Sequence, residues 1–172
     1  GPTMPDAKAR AIASALARLA GRRRGARVHA AAGGVDRPVK LLRAEPLARH
    51  GYWRVGGPLE RLVLVDSVEE LRGVPRIAHV LGNGSNLLVP DDGLPGVTVK
   101  LVGQLRSLTI EADMGRDVLV RVGAGLLNAV LLQRLDKLGL GGLGCLAGVP
   151  GTIGGAVAIT SAVAAVRRAR RG

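Results

Sequence analysis

Ile12, Leu16 and Leu19 recur at helical spacing near the start of the chain. That pattern predicts a helix opening at Asp6, which can cap it, and ending at Gly21. Arg22-Arg23-Arg24-Gly25-Ala26-Arg27 then breaks the pattern; a solvated connector and an anion-binding arm are both open to it. Residues 30–38, rich in Ala and Gly and ending at Pro38, read as a linker. From about residue 41 the period shortens to β-type runs. Arg61–Asp66, Ala78–Leu81, Val97–Leu101, Ser107–Glu111 and Val118–Val122 are the predicted strands, parted by Gly, Pro and Asp. Ser67-Val68-Glu69-Glu70-Leu71 reads as a capped helical turn. A longer helix is predicted over Leu126–Leu138. Its Leu127, Val130, Leu131, Leu135 and Leu138 fall mainly on one face, and Gly139 closes it. Several strands before one helix indicate an α+β fold, and no repeat of 20–50 residues is apparent.

A length of 172 residues suits one ordinary domain or two small ones. An apolar fraction of 47% excludes a disordered chain. No run of about 18 uninterrupted apolar residues occurs, so no membrane span is expected. The apolar stretches near the start are broken by Arg and Lys, which argues against a signal peptide. Gly1-Pro2-Thr3 ahead of Met4 reads as the scar of a removed tag. The single cysteine, Cys145, offers no internal disulfide and no Cys-rich zinc site, so a reducing, cytoplasmic setting is expected.

The formal charge of +12 points first to nucleic acid or an anionic surface. Its distribution changes that picture. Residues 1–40 carry nine basic and two acidic residues, residues 41–160 carry twelve and eleven, and residues 161–172 carry four Arg and no acid. The excess therefore lies in a basic N-terminal extension and a basic tail, around a nearly neutral middle. Single-strand binders and common RNA modules also need aromatic faces on which bases stack. This chain has no Phe, and Tyr52 and Trp53 are its only aromatic residues besides histidine. A dedicated nucleic-acid module is disfavoured.

Two glycine-rich segments carry the candidate chemistry. Gly82-Asn83-Gly84-Ser85-Asn86 follows the run Ala78–Leu81 and precedes Leu87-Leu88-Val89. It is either a plain turn between strands or a loop whose N–H groups cradle phosphate, helped by Ser and Asn side chains. The second segment, Gly139–Gly155, reads GLGGLGCLAGVPGTIGG. It is neither a Walker A loop nor a Rossmann turn. It is open both to an ordinary long connection and to a loop that wraps a pyrophosphate through its N–H groups.

Taken in order, four motifs carry a resemblance. Trp53-Arg54-Val55-Gly56-Gly57-Pro58 comes first and GNGSNLLV (82–89) second. Val122-Gly123-Ala124-Gly125 and LAGVPGTIGGAVA (146–158) follow. In that order and spacing the chain resembles the UDP-N-acetylenolpyruvoylglucosamine reductases (UDP-N-acetylmuramate dehydrogenases). The short spacing from Leu71 to Leu81 resembles the compact members. The resemblance implies an FAD-binding domain of the vanillyl-alcohol-oxidase (PCMH) type, made of two small α+β subdomains at 41–102 and 103–160. It implies that Gly82, Asn83, Gly84, Ser85, Asn86 and Leu87 hold the FAD pyrophosphate. Gly123, Ala124 and Gly125 would line the cofactor cleft. Gly148, Val149, Pro150, Gly151, Thr152, Ile153, Gly154 and Gly155 would close around pyrophosphate and flavin, and Arg54 with Gly56-Gly57 would shape the first subdomain near the cofactor.

In that family NADPH reduces the flavin, which then reduces the enolpyruvyl double bond of a UDP-sugar. A serine, an arginine and a glutamate beyond the glycine motif serve the chemistry, mostly from a third, substrate-binding domain. Here Thr160-Ser161 stands where the family pattern has Asn-Ala-Gly, and eleven residues follow Ser161. The catalytic set is therefore expected to be absent from this sequence, and Ser161 is given no role. The tail SAVAAVRRARRG fits a natural ending, a fragment boundary or an out-of-frame read. A non-catalytic scaffold or anion binder working through the basic ends is the alternative. His29, His50 and His79 show no metal spacing and are expected in surface or packing roles. Cys145 is expected to pack, and Asp91-Asp92-Gly93 to form a turn.

Overall fold

The computed structural model describes residues 39–159 and 166–168. Every described residue belongs to one compact unit, Pro38–Gly172. The helix expected from Asp6, the arginine run, the linker, His29 and Ser161 lie outside the described residues.

The fold is α+β. Its first sheet contains β1 (Lys40–Pro46), β2 (Pro58–Val65), β3 (Ile77–Leu81) and β4 (Leu94–Leu101) in the order β1-β2-β4-β3. β1 runs antiparallel to β2, whereas β4 is parallel to both β2 and β3. Central strands of this kind are covered on both faces and need continuous apolar runs rather than alternation. β2 meets that need. Leu59 and Leu62 join one buried cluster with Leu47, Leu81 and Val89, while Val63 and Val65 join Val97 and Val99 in another. β1 was not marked by sequence pattern, because it is an edge strand whose charged and apolar residues are both largely exposed.

Between β2 and β3, α1 (Val68–Gly73) begins as its sequence predicts. Ser67 Oγ accepts from the Glu70 amide at 3.1 Å, and Glu70 Oε2 reaches back to the Asp66 amide at 2.7 Å.

The second sheet has the order β5-β6-β8-β7. β5 (Leu108–Met114) and β6 (Asp117–Val122) form a hairpin, pinned across the strands by the Glu111–Arg121 ion pair. β7 (Leu140–Gly141) and β8 (Arg167–Arg168) complete it, both antiparallel to their neighbours. The basic tail therefore enters the sheet at this point, and Val166 is buried in the core beside it. α2 (Asn128–Lys137) packs Leu131 and Leu135 against Val118, Leu126, Leu140 and Leu143. It starts two residues later than predicted. Leu127 is extended there and pairs with Thr152, while the Leu126 carbonyl accepts from the Ile153 amide. α3 (Ile153–Ile159) closes the described part of the unit before the tail strand. It begins within the segment Gly139–Gly155, which also contains β7 and a 3-10 turn at Gly144–Leu146, so that segment is not the plain long loop its glycines suggest.

Lys100 ties the first sheet to the turn after β1: its Nζ donates to the His50 carbonyl at 2.7 Å. Burial, with the Arg106 charge adding to it, holds the ammonium pKa below its ordinary value. The folded protein then binds fewer protons than the unfolded chain between the two pKa values. Stability should therefore rise as pH climbs through the folded pKa toward the ordinary lysine range. Lys100→Met should lose that rise, seen as a flatter alkaline limb in urea midpoints measured against pH. In the second sheet's core, Leu135 is 1% exposed, and Leu135→Ala should cost about 2–5 kcal/mol in equilibrium denaturation.

Candidate functional site

The first glycine segment leaves the C-terminal end of β3 and is fastened from below. The Tyr52 amide donates to the Asn83 carbonyl at 2.8 Å, and Trp53 Nε1 donates to the Ser85 carbonyl at 3.0 Å. Gly84 has φ +68°, and a Cβ there would come within 3.0 Å of the Gly51 Cα, so the loop requires glycine on both counts. Among the described residues nothing accepts from the amides of Asn83, Gly84, Ser85 or Asn86.

The second segment crosses in front of the first. Ser85 Oγ donates to the Pro150 carbonyl at 3.0 Å, joining positions 65 residues apart. The start of α2 holds the same segment. The Asn128 amide donates to the Gly151 carbonyl at 3.0 Å and its Nδ2 to the Val149 carbonyl at 3.2 Å. Asn128 is 1% exposed, and its Oδ1 has no partner among the described residues. Gly151 has φ +148°, again glycine territory.

Between the two segments runs a groove of about 690 Å³. Gly82 to Leu87 line one side of it, and Val149 to Thr152 with Gly155 line the other. A compartment of about 360 Å³ adjoins it through Gly82, Asn83, Thr152 and Gly155, and adds Ala124, Gly125 and Gly154. A third recess of about 640 Å³ adjoins it through Asn83 and the Val149–Gly151 stretch, and adds Gly148 and Tyr52. Three residues expected at the site stand apart from these cavities. Arg54 is exposed, Gly123 lies against Leu105, and Ile153 packs on the second sheet's core.

The structure also brings in residues that sequence reading left out. Lys100 and Arg106 line the smaller compartment, and Asn128, Leu146 and Cys145 line the main groove. Cys145 is exposed rather than packed, because the 3-10 turn at Gly144–Leu146 sets it on the groove wall. Two of these had a sequence signal. Lys100 is a lone cation in the apolar run Val97–Leu101, and Asn128 sits three and seven residues before Leu131 and Leu135, on a buried helix face. His50 and His79 bond to Glu45 and to the Pro95 carbonyl, in line with packing roles. Among the described residues no group of three His, Cys, Asp or Glu could hold a metal ion, and no helix is long and apolar enough to cross a membrane.

Free amides on a glycine loop and nearby cations make a donor set that fits the pyrophosphate of FAD. Comparison with known proteins points the same way. A family described as "FAD binding domain" matches residues 59–169. UDP-N-acetylenolpyruvoylglucosamine reductase of Moorella thermoacetica is 44% identical over 132 residues, covering 72% of this chain and 41% of that protein. The Bacillus subtilis enzyme of the same name is 40% identical over 125 residues, covering 69% and 40%. A crystal structure of the corresponding reductase from Thermus caldophilus superposes with a TM-score of 0.54 at 38% identity, covering 69% of this chain and 41% of that one. The chain thus spans about two fifths of the length of these relatives. With the match covering more than half of its sequence, the chain belongs to the FAD binding domain family.

Proposed function

We propose that this chain is the flavin-holding part of a UDP-N-acetylenolpyruvoylglucosamine reductase that uses NADPH and acts in cytoplasmic peptidoglycan precursor synthesis. The observation that carries this is the pair of glycine-rich segments tied to each other by Ser85, the second held on α2 by Asn128, with the amides of Asn83 to Asn86 left free. Identity of about 40% to reductases of that name supplies the reaction class.

In this reading Gly82 to Leu87 bind the pyrophosphate, and Gly148 to Gly155 close over it. FAD, when bound, supplies hydride transfer between the nicotinamide cofactor and the enolpyruvyl double bond. The residues of this chain bind and orient. The loop amides neutralise phosphate charge, Asn128 Oδ1 offers an acceptor to a ribityl or ribose hydroxyl, and Lys100 and Arg106 add positive charge on the adjoining wall. The described residues contain no general acid placed for the protonation step. The serine, arginine and glutamate that serve the chemistry in such reductases are, on the family resemblance, beyond the glycine motif, and none is assigned among the described residues.

The protein as purified should take up FAD from solution and keep the flavin absorbance band through gel filtration. A colourless protein that takes up no added FAD would refute the reading. Gly84→Val and Gly151→Val place a β-branched residue where φ is positive. Each should weaken FAD retention about tenfold or more in equilibrium dialysis, since roughly 1–2 kcal/mol of backbone strain falls directly on the cradle.

A further inference from the structure

β3 and β4 run parallel, and residues at the C-terminal ends of both line the compartment of about 360 Å³. Lys100 stands on its wall, one residue before β4 ends at Leu101. Its cross-strand neighbours are Leu64 on β2 and Leu81 on β3, so both of its flanks are apolar. Among the described residues its one polar partner is the His50 carbonyl, at 2.7 Å. A half-buried strand position between two leucines ordinarily takes an apolar side chain, and a cation there is costly without a counter-ion. Packing alone gives no reason for a lysine.

The same wall carries Arg106. It is exposed, and its Nε donates to the Leu101 carbonyl at 3.0 Å, which holds it at the end of β4 beside Lys100. No carboxylate pairs with either cation among the described residues. Two cations on one small compartment favour an anion between them, and a guanidinium matches phosphate oxygens in particular. Burial first, and the Arg106 charge second, hold the Lys100 ammonium below its ordinary pKa. At neutral pH more of it is therefore free amine than on an exposed lysine. The N–H given to the His50 carbonyl leaves the amine lone pair available for attack. The compartment thus pairs a nucleophile with an anchor for an anionic electrophile.

We propose that Lys100 is a site of covalent modification, its amine taking the acyl group of a small acyl phosphate whose phosphate is held by Arg106. The Nζ lone pair attacks the carbonyl carbon, and an N–C bond forms. The C–O bond to phosphorus's oxygen breaks, and inorganic phosphate leaves with that electron pair. The proton lost from Nζ passes to solvent. The product is an amide, and no oxidant or reductant is consumed. Acylation exchanges a cation for a neutral group. The compartment then holds any phosphate-bearing ligand less tightly.

The wild-type protein carries its own controls, because Lys40 and Lys137 are exposed. Treated with acetyl phosphate at neutral pH before any FAD is added, it should acetylate Lys100 about tenfold faster than either control, read by peptide mass spectrometry. Excess inorganic phosphate should slow Lys100 and leave Lys40 and Lys137 unchanged. Arg106→Gln, at an exposed position, should slow Lys100 about fivefold and leave both controls unchanged. Equal rates at the three lysines overturn the proposal. So does a fast Lys100 that neither phosphate nor Arg106→Gln slows, since its amine would then react without an anion site. The labelling requires no bound flavin. A protein that takes up no FAD can therefore pass this test, and one that takes up FAD can fail it.

Discussion

The site depends on how the peptide planes of two glycine-rich segments are turned. The first segment and the Val149–Gly151 stretch of the second are fastened through their carbonyls: Asn83 and Ser85 accept from Tyr52 and Trp53, Pro150 from Ser85, and Val149 and Gly151 from Asn128. In a trans peptide the N–H of the next residue points opposite to the carbonyl. Fastening a loop through its oxygens therefore turns its hydrogens away from the fastening. The amides of Gly84 and Asn86, which follow the fastened Asn83 and Ser85 carbonyls, are among those without an acceptor. Chains rich in glycine lose the most freedom on folding, and these two segments are held from outside by β1's turn and by α2. Neither loop could present an ordered row of donors alone.

This explains why the two glycine segments are more legible in the sequence than the scaffold that fastens them. The strands at 61–66, 97–101 and 118–122 announce themselves because both of their faces, or one alternating face, must be apolar. β1 does not, since an edge strand with exposed charges makes no such demand. The start of α2 was misplaced by two residues because Leu127 satisfies the helical period yet is drawn into pairing with Thr152, a contact with no local signature. The glycine loops were readable through their order and spacing. What could not be read was which residues from elsewhere complete them. Asn128 looks like a polar residue on the buried face of a helix and Lys100 like a cation in an apolar strand, and only the fold puts one under the Val149 loop and the other behind the turn at His50.

Charge shows the same division. The +12 of the whole chain suggests a polyanion partner, but residues 41–160 carry twelve basic and eleven acidic residues. Within that nearly neutral unit the acids pair locally, as Glu45 does with Arg49 and His50, Glu60 with Arg61 and Glu111 with Arg121. Lys100 and Arg106 are left facing a cavity. The position of Lys100, a half-buried cation without a carboxylate partner, says more about a ligand than the total does, because a cation withdrawn from water without a counter-ion is costly unless an anion arrives.

Aromatic residues follow a parallel logic. The cores are built from Leu and Val almost alone, with no Phe available and the one Tyr and one Trp outside them. An aliphatic core is sufficient for packing. Aromatic rings bury more area per residue than any aliphatic side chain and are ordinarily spent on cores. A sequence that places both of its large rings half-exposed, one locked to the other and the second bonded to the loop at Ser85, has not used them for stability. Tyr52 lines the recess of about 640 Å³, and Trp53 ties that part of its wall to the same loop that leaves its amides free.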